Sequence, residues 1–229
     1  ESERRSPNRL ERHVNFKAIE TELTDLESKA LAEIVPFIRA VRERFLKFVR
    51  DGFTGDVSFV QRLTELRGMP AVREAIGKFL ERAYDSGAAS VHGEMITAKV
   101  KLMQQEPNYK PKDALRYLKA KKFWIAGIID DRIREKARGV LLKAIETGEP
   151  LAETMENLNG AFEPYLGDPN LIRDGEVVAP SRLETIVRTN ATDAFNRGRI
   201  VEARRAGEYL IGFEYSAVID NMTTPVCQL

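Results

Sequence analysis

Two residues near the end of this sequence have side chains that could do chemistry. Asp220 follows an alternating apolar run, and Cys227 lies beyond Thr223. A carboxylate can serve as a general acid or base, and a thiol can be a nucleophile or a metal ligand. Either role needs a partner group, yet no second carboxylate or histidine lies beside Asp220, and both histidines are distant in sequence. We therefore predict that Asp220 fixes a turn through nearby backbone amides and that Cys227 is a reduced, partly buried thiol.

Two arginines form a second candidate site. Arg188 and Arg199 lie about three helical turns apart, so a helix would bring both towards one face. They could bind an anion, either DNA phosphate or an acidic partner surface. Alternatively, Arg188 pairs with Glu184, which lies four residues earlier in the favourable orientation. For Arg199 both interpretations stay open.

These arginines belong to a predicted helix that starts at the capping-box pattern of Ser181 and Glu184. Its apolar face has helical spacing and comprises Leu183, Val187, Ala191, Ala194, Gly198 and Val201. Its polar stripe comprises Thr185, Thr189, Thr192, Asn196 and Arg199. Because Gly198 has no side chain, another backbone can come close there. We predict that Asn196 and Gly198 mark a crossing between this helix and the strand that follows.

That strand is predicted over residues 211–219, where apolar and polar residues alternate. A single strand leaves its backbone donors and acceptors unpaired, so it needs partners. Residues 175–179, a segment beyond Leu229 or another chain must supply them.

The same stretch contains a longer pattern. It runs through Arg182, Ile186, Arg188, Thr189, Asn190, Ala194, Asn196, Gly198, Arg199, residues 215–220, Thr223, Thr224 and Cys227. In order and spacing it resembles the phage Mu F-like minor head protein family, also called phage head morphogenesis proteins. The resemblance covers roughly residues 114–227. It marks as structural or docking residues Arg182, Arg188, Thr189, Asn196, Gly198, Arg199, Tyr215, Asp220, Thr223 and Cys227.

The resemblance implies a minor head protein of a tailed phage or prophage, assembled in the host cytoplasm and present in the virion. Its implied partners are the portal protein, on which it would dock, other head proteins and double-stranded DNA. We expect an oligomer or a multi-copy assembly, and the residues themselves predict no cofactor, no metal site and no assembled catalytic site. Two alternatives remain open: a leader or catalytic part of a toxin or nuclease, and a DNA-binding assembly factor.

A cluster of basic and aromatic residues lies between residues 109 and 124. Its candidate nucleic-acid contacts are Lys112, Arg116, Lys119 and Lys122. Basic residues interleaved with aromatic ones suit a nucleic-acid backbone. The alternative is an ordinary helix, with its lysines in solvent and with Leu118, Trp124 and Ile128 at core spacing.

Composition limits the class of protein. The 229 residues include 36 basic and 35 acidic side chains, so the chain has no overall basic footprint for nucleic acid. One cysteine excludes an internal disulfide. No apolar run is long enough for a membrane span, and we expect no membrane partner. Because the chain starts at Glu1 and stops soon after the predicted turn, we expect it to be part of a longer product.

These patterns predict a mainly α fold with a small α+β C-terminal part. We predict an arm or linker over 1–13, a helical N-terminal domain over 14–110 and a head-morphogenesis-like domain over 111–229, truncated at its C-terminus. Long amphipathic helices are predicted from residue 15, with a kink or break near Pro36, over 70–105 and over 112–147. A short helix is predicted over 149–159.

Overall fold

The computed structural model describes residues 16–62, 69–97, 110–166, 172–173, 176–177 and 181–205. In chain order the elements are α1 (Phe16–Gly52), α2 (Val57–Arg62), α3 (Pro70–Thr97), α4 (Lys112–Thr147), α5 (Leu151–Asn159), α6 (Glu163–Leu166), β1 (Ile172–Arg173), β2 (Glu176–Val177) and α7 (Ser181–Arg205). The described chain is mainly helical, which confirms that part of the predicted fold class.

The long helices follow the sequence pattern closely. Helix α4 has the predicted bounds and ends at Gly148, whose φ of 67° is a left-handed conformation that glycine adopts without strain. Helix α1 is a single helix that continues through Pro36, so the predicted alternative of two shorter helices is wrong. A proline inside a helix removes one backbone hydrogen bond. Residues packed against the core on both sides of Pro36, including Ile34 and Ile38, keep the helix together.

Helix α2 is absent from the sequence prediction. Asp56 precedes it and accepts hydrogen bonds from the backbone N–H and the hydroxyl of Ser58, at 3.0 and 2.7 Å. This is an N-cap, which satisfies a donor that the first helical turn leaves free. Phe59 is buried on the helix and stacks on Phe48 of α1 with ring centroids 5.1 Å apart. Burial of the Phe59 ring therefore holds α2 against α1. With only six residues, α2 is too short for its hydrophobic periodicity to be recognised in the sequence.

The two strands form a minimal antiparallel ladder in which Ile172 pairs with Val177 and Arg173 with Glu176. This ladder differs from the predicted sheet, which was to be built on a strand over residues 211–219. Those residues lie outside the described part of the chain, as do the predicted arm over 1–13 and the end of the helix predicted over 70–105. The α+β character of the C-terminal part therefore stays a prediction.

One buried cluster joins the helices on both sides of the predicted boundary between residues 110 and 111. The largest fully buried side chains in this cluster are Tyr84, Phe59, Phe79, Phe162, Ile34, Ile38, Ile76, Leu80, Ile129, Ile133 and Leu141. The described parts of the two predicted domains thus share a core.

Helices α3 and α7 pack side by side in the same direction. Phe79 and Val187 line one cavity, and further along both helices His92 lies beside Glu202. Helix α4 runs the opposite way, because Lys110, just before it, pairs with Asp85, whereas Lys122 pairs with Glu74. The bundle therefore packs one face of α7 into the core and leaves one side of α4 at the surface.

Candidate functional site

The helix that carries most of the family resemblance, α7, has the two faces that its sequence predicts. Leu183, Val187, Ala191 and Ala194 are buried. The opposite stripe is exposed at Thr185, Thr189, Thr192 and Asn196. Arg182 is also exposed. The threonines and Asn196 therefore form a polar outer surface, whereas the small residues of the pattern lie inside.

The crossing predicted at Gly198 exists, but its neighbour is a helix. A Cβ on Gly198 would overlap the carbonyl oxygen of Tyr84 in α3. Reciprocally, a Cβ on Gly87 would overlap the carbonyl oxygen of Phe195 in α7. Two glycines thus let the two backbones touch, which residues with side chains cannot do. The prediction named the following strand as the partner at Gly198, whereas the structure places helix α3 there.

The two arginines contact acidic residues of the same chain. Arg188 donates to Glu184 at 2.6 Å, which confirms the predicted intrahelical pair, and to Glu27 of α1 at 3.2 Å. Arg199 donates to the hydroxyl of Ser90 at 2.6 Å and lies 2.9 Å from a carboxylate oxygen of Glu94. Both arginines join α7 to neighbouring helices.

Asn190 is a buried polar residue of the pattern, and its surroundings are apolar. Its amide nitrogen donates to the backbone carbonyl of Ile186 at 2.6 Å, while its side-chain oxygen has no hydrogen-bond partner among the residues that the structure describes. It lines a cavity of about 10 Å³ together with residues such as Phe79 and Ile129. That is roughly the space that one water molecule needs, although the other lining side chains are apolar.

Glu202 is a second buried polar residue near the end of α7, with its side chain only 5 % exposed. It accepts a hydrogen bond from Arg205 at 2.6 Å and lies 3.3 Å from Nδ1 of His92 in α3. A buried carboxylate needs such partners. Sequence reasoning missed this site, and its only signal was the basic Arg205 three residues after Glu202.

The predicted nucleic-acid contacts lie on the first half of α4. Lys112, Arg116 and Lys119 are exposed, as are Leu115, Phe123 and Trp124 on the same stretch of α4, and we call these six residues the α4 face. Leu115 and Trp124 lie about two and a half helical turns apart, so they project from opposite flanks of the basic stripe. The three large apolar side chains are 50 % exposed at Leu115, 47 % at Phe123 and 58 % at Trp124. The core position suggested for Trp124 is therefore wrong, whereas Leu118 is buried as its spacing predicts.

Lys122, the fourth predicted contact, lies at the edge of this face. It is partly buried, and its amino group is 3.5 Å from Glu74 of α3. Arg116 is paired with Asp113 at 3.2 Å, and both side chains are highly exposed. Lys112 and Lys119 have no ion-pair partner among the described residues.

A hydrogen-bonded group on the flank of α4 next to Trp124 fixes α4 to α7. Tyr117 and Lys121 both donate to Asp193 at 2.7 Å, and the guanidinium of Arg197 lies 5.5 Å from the centre of the Tyr117 ring. Burial and the bond to Asp193 raise the pKa of Tyr117. Partial burial raises the pKa of Asp193, but hydrogen bonds from Lys121 and Tyr117 together outweigh it and hold the pKa below its ordinary value of 3.8.

Four residues marked by the resemblance, Tyr215, Asp220, Thr223 and Cys227, lie outside the described part of the chain. Within the described ranges, no three His, Cys, Asp or Glu side chains are grouped so that they could hold a metal ion. None of the described helices is both long and apolar enough to cross a bilayer.

Comparison of the chain with protein-family models, curated proteins and solved structures finds no match.

Proposed function

We propose that this chain is a minor head protein of a tailed phage or prophage, which docks on the portal during capsid assembly and stays in the virion. The observation that carries the docking role is the α4 face, where three large apolar side chains lie half exposed within ten residues. Aromatic side chains are enriched at protein interfaces relative to the rest of the surface. The phage context is supported by the sequence pattern of α7.

The positions of the pattern residues support a scaffold role for α7. Gly198 permits a close backbone contact with α3, and Arg188 and Arg199 link α7 to α1 and α3. These groups hold one helix in the bundle. The partner would then bind elsewhere, at a surface that the bundle makes rigid.

The test is assembly in solution. Purified chain is mixed with purified portal rings from the same phage, and with major capsid protein as a second head component, and the mixtures are separated by size. We expect the chain to migrate with the portal ring. Its absence from the portal fraction at concentrations used for head assembly would contradict docking.

A DNA-binding assembly factor is the second candidate, because Lys112 and Lys119 are exposed cations without an ion-pair partner in the described chain. Binding through phosphates weakens steeply as salt rises. Affinity for a double-stranded oligonucleotide is therefore measured at two salt concentrations. A steep loss between them would favour this candidate, and no binding at low salt would remove it.

The α+β character of the C-terminal part is a separate proposal. Its support is the alternation of apolar and polar residues over 211–219. Hydrogen exchange measured residue by residue should show alternate protected amides there if one edge of the strand is paired. Uniformly fast exchange would contradict the strand.

A further inference from the structure

We infer that the exposed side of the second half of α1 binds the phosphate backbone of double-stranded DNA, whatever its base sequence. This surface is distinct from the α4 face, and the contact goes beyond docking on the portal. Three features of α1 support it: the distribution of charge along the helix, the arginines that no acid engages, and the scarcity of large apolar groups beside them.

Charge is divided unequally along α1. The first half, residues 16–33, has two basic and five acidic side chains, whereas the second half, residues 34–52, has five basic and two acidic ones. The halves thus have net charges of −3 and +3, in a chain whose net charge is +1. The helix dipole favours cations only within the last turn. It therefore accounts for Arg50, but not for Arg39 or Arg44, which lie further from the end of the helix.

The acids of the first half are used inside the bundle. Glu27 accepts a hydrogen bond from Arg188 of α7 at 3.2 Å. Glu33 accepts two from Arg82 of α3, at 2.6 and 2.7 Å. These acids hold α1 against its neighbours, so the negative half of the helix has a role in the fold.

The second half of α1 has more cations than its acids can pair. Glu43 is already 2.6 Å from Arg42, and Asp51 is 2.7 Å from Lys47. The exposed cations of this half that form no ion pair in the described chain are Arg39, Arg44 and Arg50, and we call them the α1 arginines. These three carry the whole net charge of this half.

The α1 arginines are spaced so that they can reach two phosphate backbones. Arg39 and Arg50 are eleven residues apart, so they project along nearly one line and are separated by about 16 Å along the axis. Arg44 lies between them along the axis and projects from the other flank, about 140° around the helix from Arg39. The major groove of a duplex is about 12 Å wide and has a backbone on each side. A helix is about as wide, so cations on its two flanks meet both backbones.

The side chains on this surface favour phosphate over other acidic partners. Arginine has a planar fork of donors that matches a phosphate group with two parallel hydrogen bonds. A protein interface needs an apolar centre, and a helix on a membrane surface needs several large apolar side chains. Phe37 is the one large apolar side chain of α1 that is more than about a third exposed in the described chain. The occupant that charge alone can bind is a polyanion, and duplex DNA supplies regularly spaced phosphates.

The experiment measures the affinity of the full chain for two labelled duplexes of unrelated sequence, by fluorescence anisotropy. Three neutralised phosphates predict a slope of about −2.7 in log K against log salt, or about a fortyfold loss from 50 to 200 mM salt. Both duplexes should bind equally, because backbone contacts carry no sequence information. Arg39→Gln/Arg44→Gln/Arg50→Gln should weaken binding at least tenfold at the lower salt. Each single change to glutamine should make the slope shallower by about 0.9.

A charge-matched control removes three other exposed cations. Lys78→Gln/Arg138→Gln/Lys143→Gln lowers the net charge by the same amount, but these residues lie on α3 and α4. The control should keep the salt slope and bind within about twofold of the unaltered chain. Equal losses in the two triple variants would mean that binding follows net charge, and would overturn the inference. Circular dichroism establishes that each variant is folded.

A second surface and two other occupants are tested with the same proteins. If Lys112→Gln/Lys119→Gln abolishes duplex binding and the change of the α1 arginines does not, the cations of α4 make the contact and the inference is overturned. It is equally overturned if the α1 arginines are needed for binding to portal rings, or to vesicles of equal parts phosphatidylserine and phosphatidylcholine, but not for binding to duplex DNA.

The outcomes also separate this inference from the proposed function. If neither duplex binds at about 50 mM salt, where a contact with three phosphates is strongest, the inference fails, whereas docking stands as long as the chain migrates with the portal ring. If the duplexes bind as predicted and the portal ring does not, docking fails and the inference stands. Loss of duplex binding in the arginine variant, with migration on the portal ring retained, supports both.

Discussion

The α3–α7 crossing and the α4 face differ in the size of the side chains that they carry. At the crossing, Gly87 and Gly198 remove side chains so that two backbones touch. On the α4 face, Phe123 and Trp124 present large side chains that the described chain leaves about half exposed. Small residues inside and large residues outside reverse the usual distribution. The reversal indicates that the crossing serves the fold, whereas the face is available to another molecule.

The largest expected effect comes from filling the crossing. Gly198→Ala places a Cβ against the backbone of α3, which cannot move as a flexible side chain would. We expect a loss of about 3 kcal/mol or more in the free energy of unfolding, measured with urea. Gly139→Ala is the control, because a Cβ there meets nothing within 4 Å. The control should gain about 0.5 to 1 kcal/mol from helix propensity; equal effects of the two changes would disprove the close crossing.

A smaller loss of unfolding free energy is expected from a change at Glu202, a buried residue near the C-terminal end of α7, which packs beside α3. Glu202→Ala removes one hydrogen-bond acceptor of Arg205 and the neighbour of His92, and leaves a cavity where a buried carboxylate lay. We expect a loss of about 2 kcal/mol in unfolding free energy. Glu184→Ala on the same helix removes an exposed pair and should cost under about 1 kcal/mol. A Glu202 variant as stable as the Glu184 variant would show that this end of the crossing contributes little.

The joint between α4 and α7 should respond to acid. Because the folded protein holds the pKa of Asp193 below its ordinary value of 3.8, this carboxylate stabilises the fold above that value. The contribution is lost as pH falls through the lowered pKa. Asp193→Asn should therefore be less stable than the unaltered chain at neutral pH, by under about 1 kcal/mol because the side chain is partly exposed.

Urea unfolding of both proteins at a series of pH values checks this expectation. The difference in stability should shrink only below pH 3.8, where the unaltered chain loses the charge. A difference that stays constant down to strongly acidic pH would mean that the charge of Asp193 is not responsible.

The smallest effect is expected on the α4 face. Trp124→Ala removes a side chain that is 58 % exposed, so it should change the unfolding free energy by no more than about 0.5 kcal/mol. Val91→Ala in α3, where the side chain is buried, is the contrast and should cost about 1 kcal/mol or more. If Trp124→Ala were the more costly change, the ring would be part of the core.

Periodicity predicted the helices because an amphipathic helix repeats its core contacts every three or four residues. The bounds of α4 and the buried face of α7 follow from it directly. It failed at Trp124, since spacing alone cannot tell a core position from an exposed apolar one. It also placed the crossing of Gly198 against the wrong element, because the partner glycine, Gly87, is far away in sequence.

The candidate site was predicted only in part. Exposed cations at Lys112, Arg116 and Lys119 were found from charge and spacing, but the alternative interpretation gave exposed Trp124 a core position. The pairs made by Lys121 and Lys122 depend on α7 and α3, which no local pattern reveals. The buried Glu202 was missed for the same reason.

The parallel pairing of α3 and α7 also bears on how the chain acquires its fold. His92 and Glu202, which meet across this pair, are separated by 110 positions. Contacts this remote are costly to close and slow folding. During synthesis α3 leaves the ribosome well before α7. The surface of α3 around Gly87, which α7 covers in the folded protein, therefore stays exposed until α7 has been made. Final consolidation of the core is therefore a late event, and a product that ends before residue 181 would keep that surface exposed.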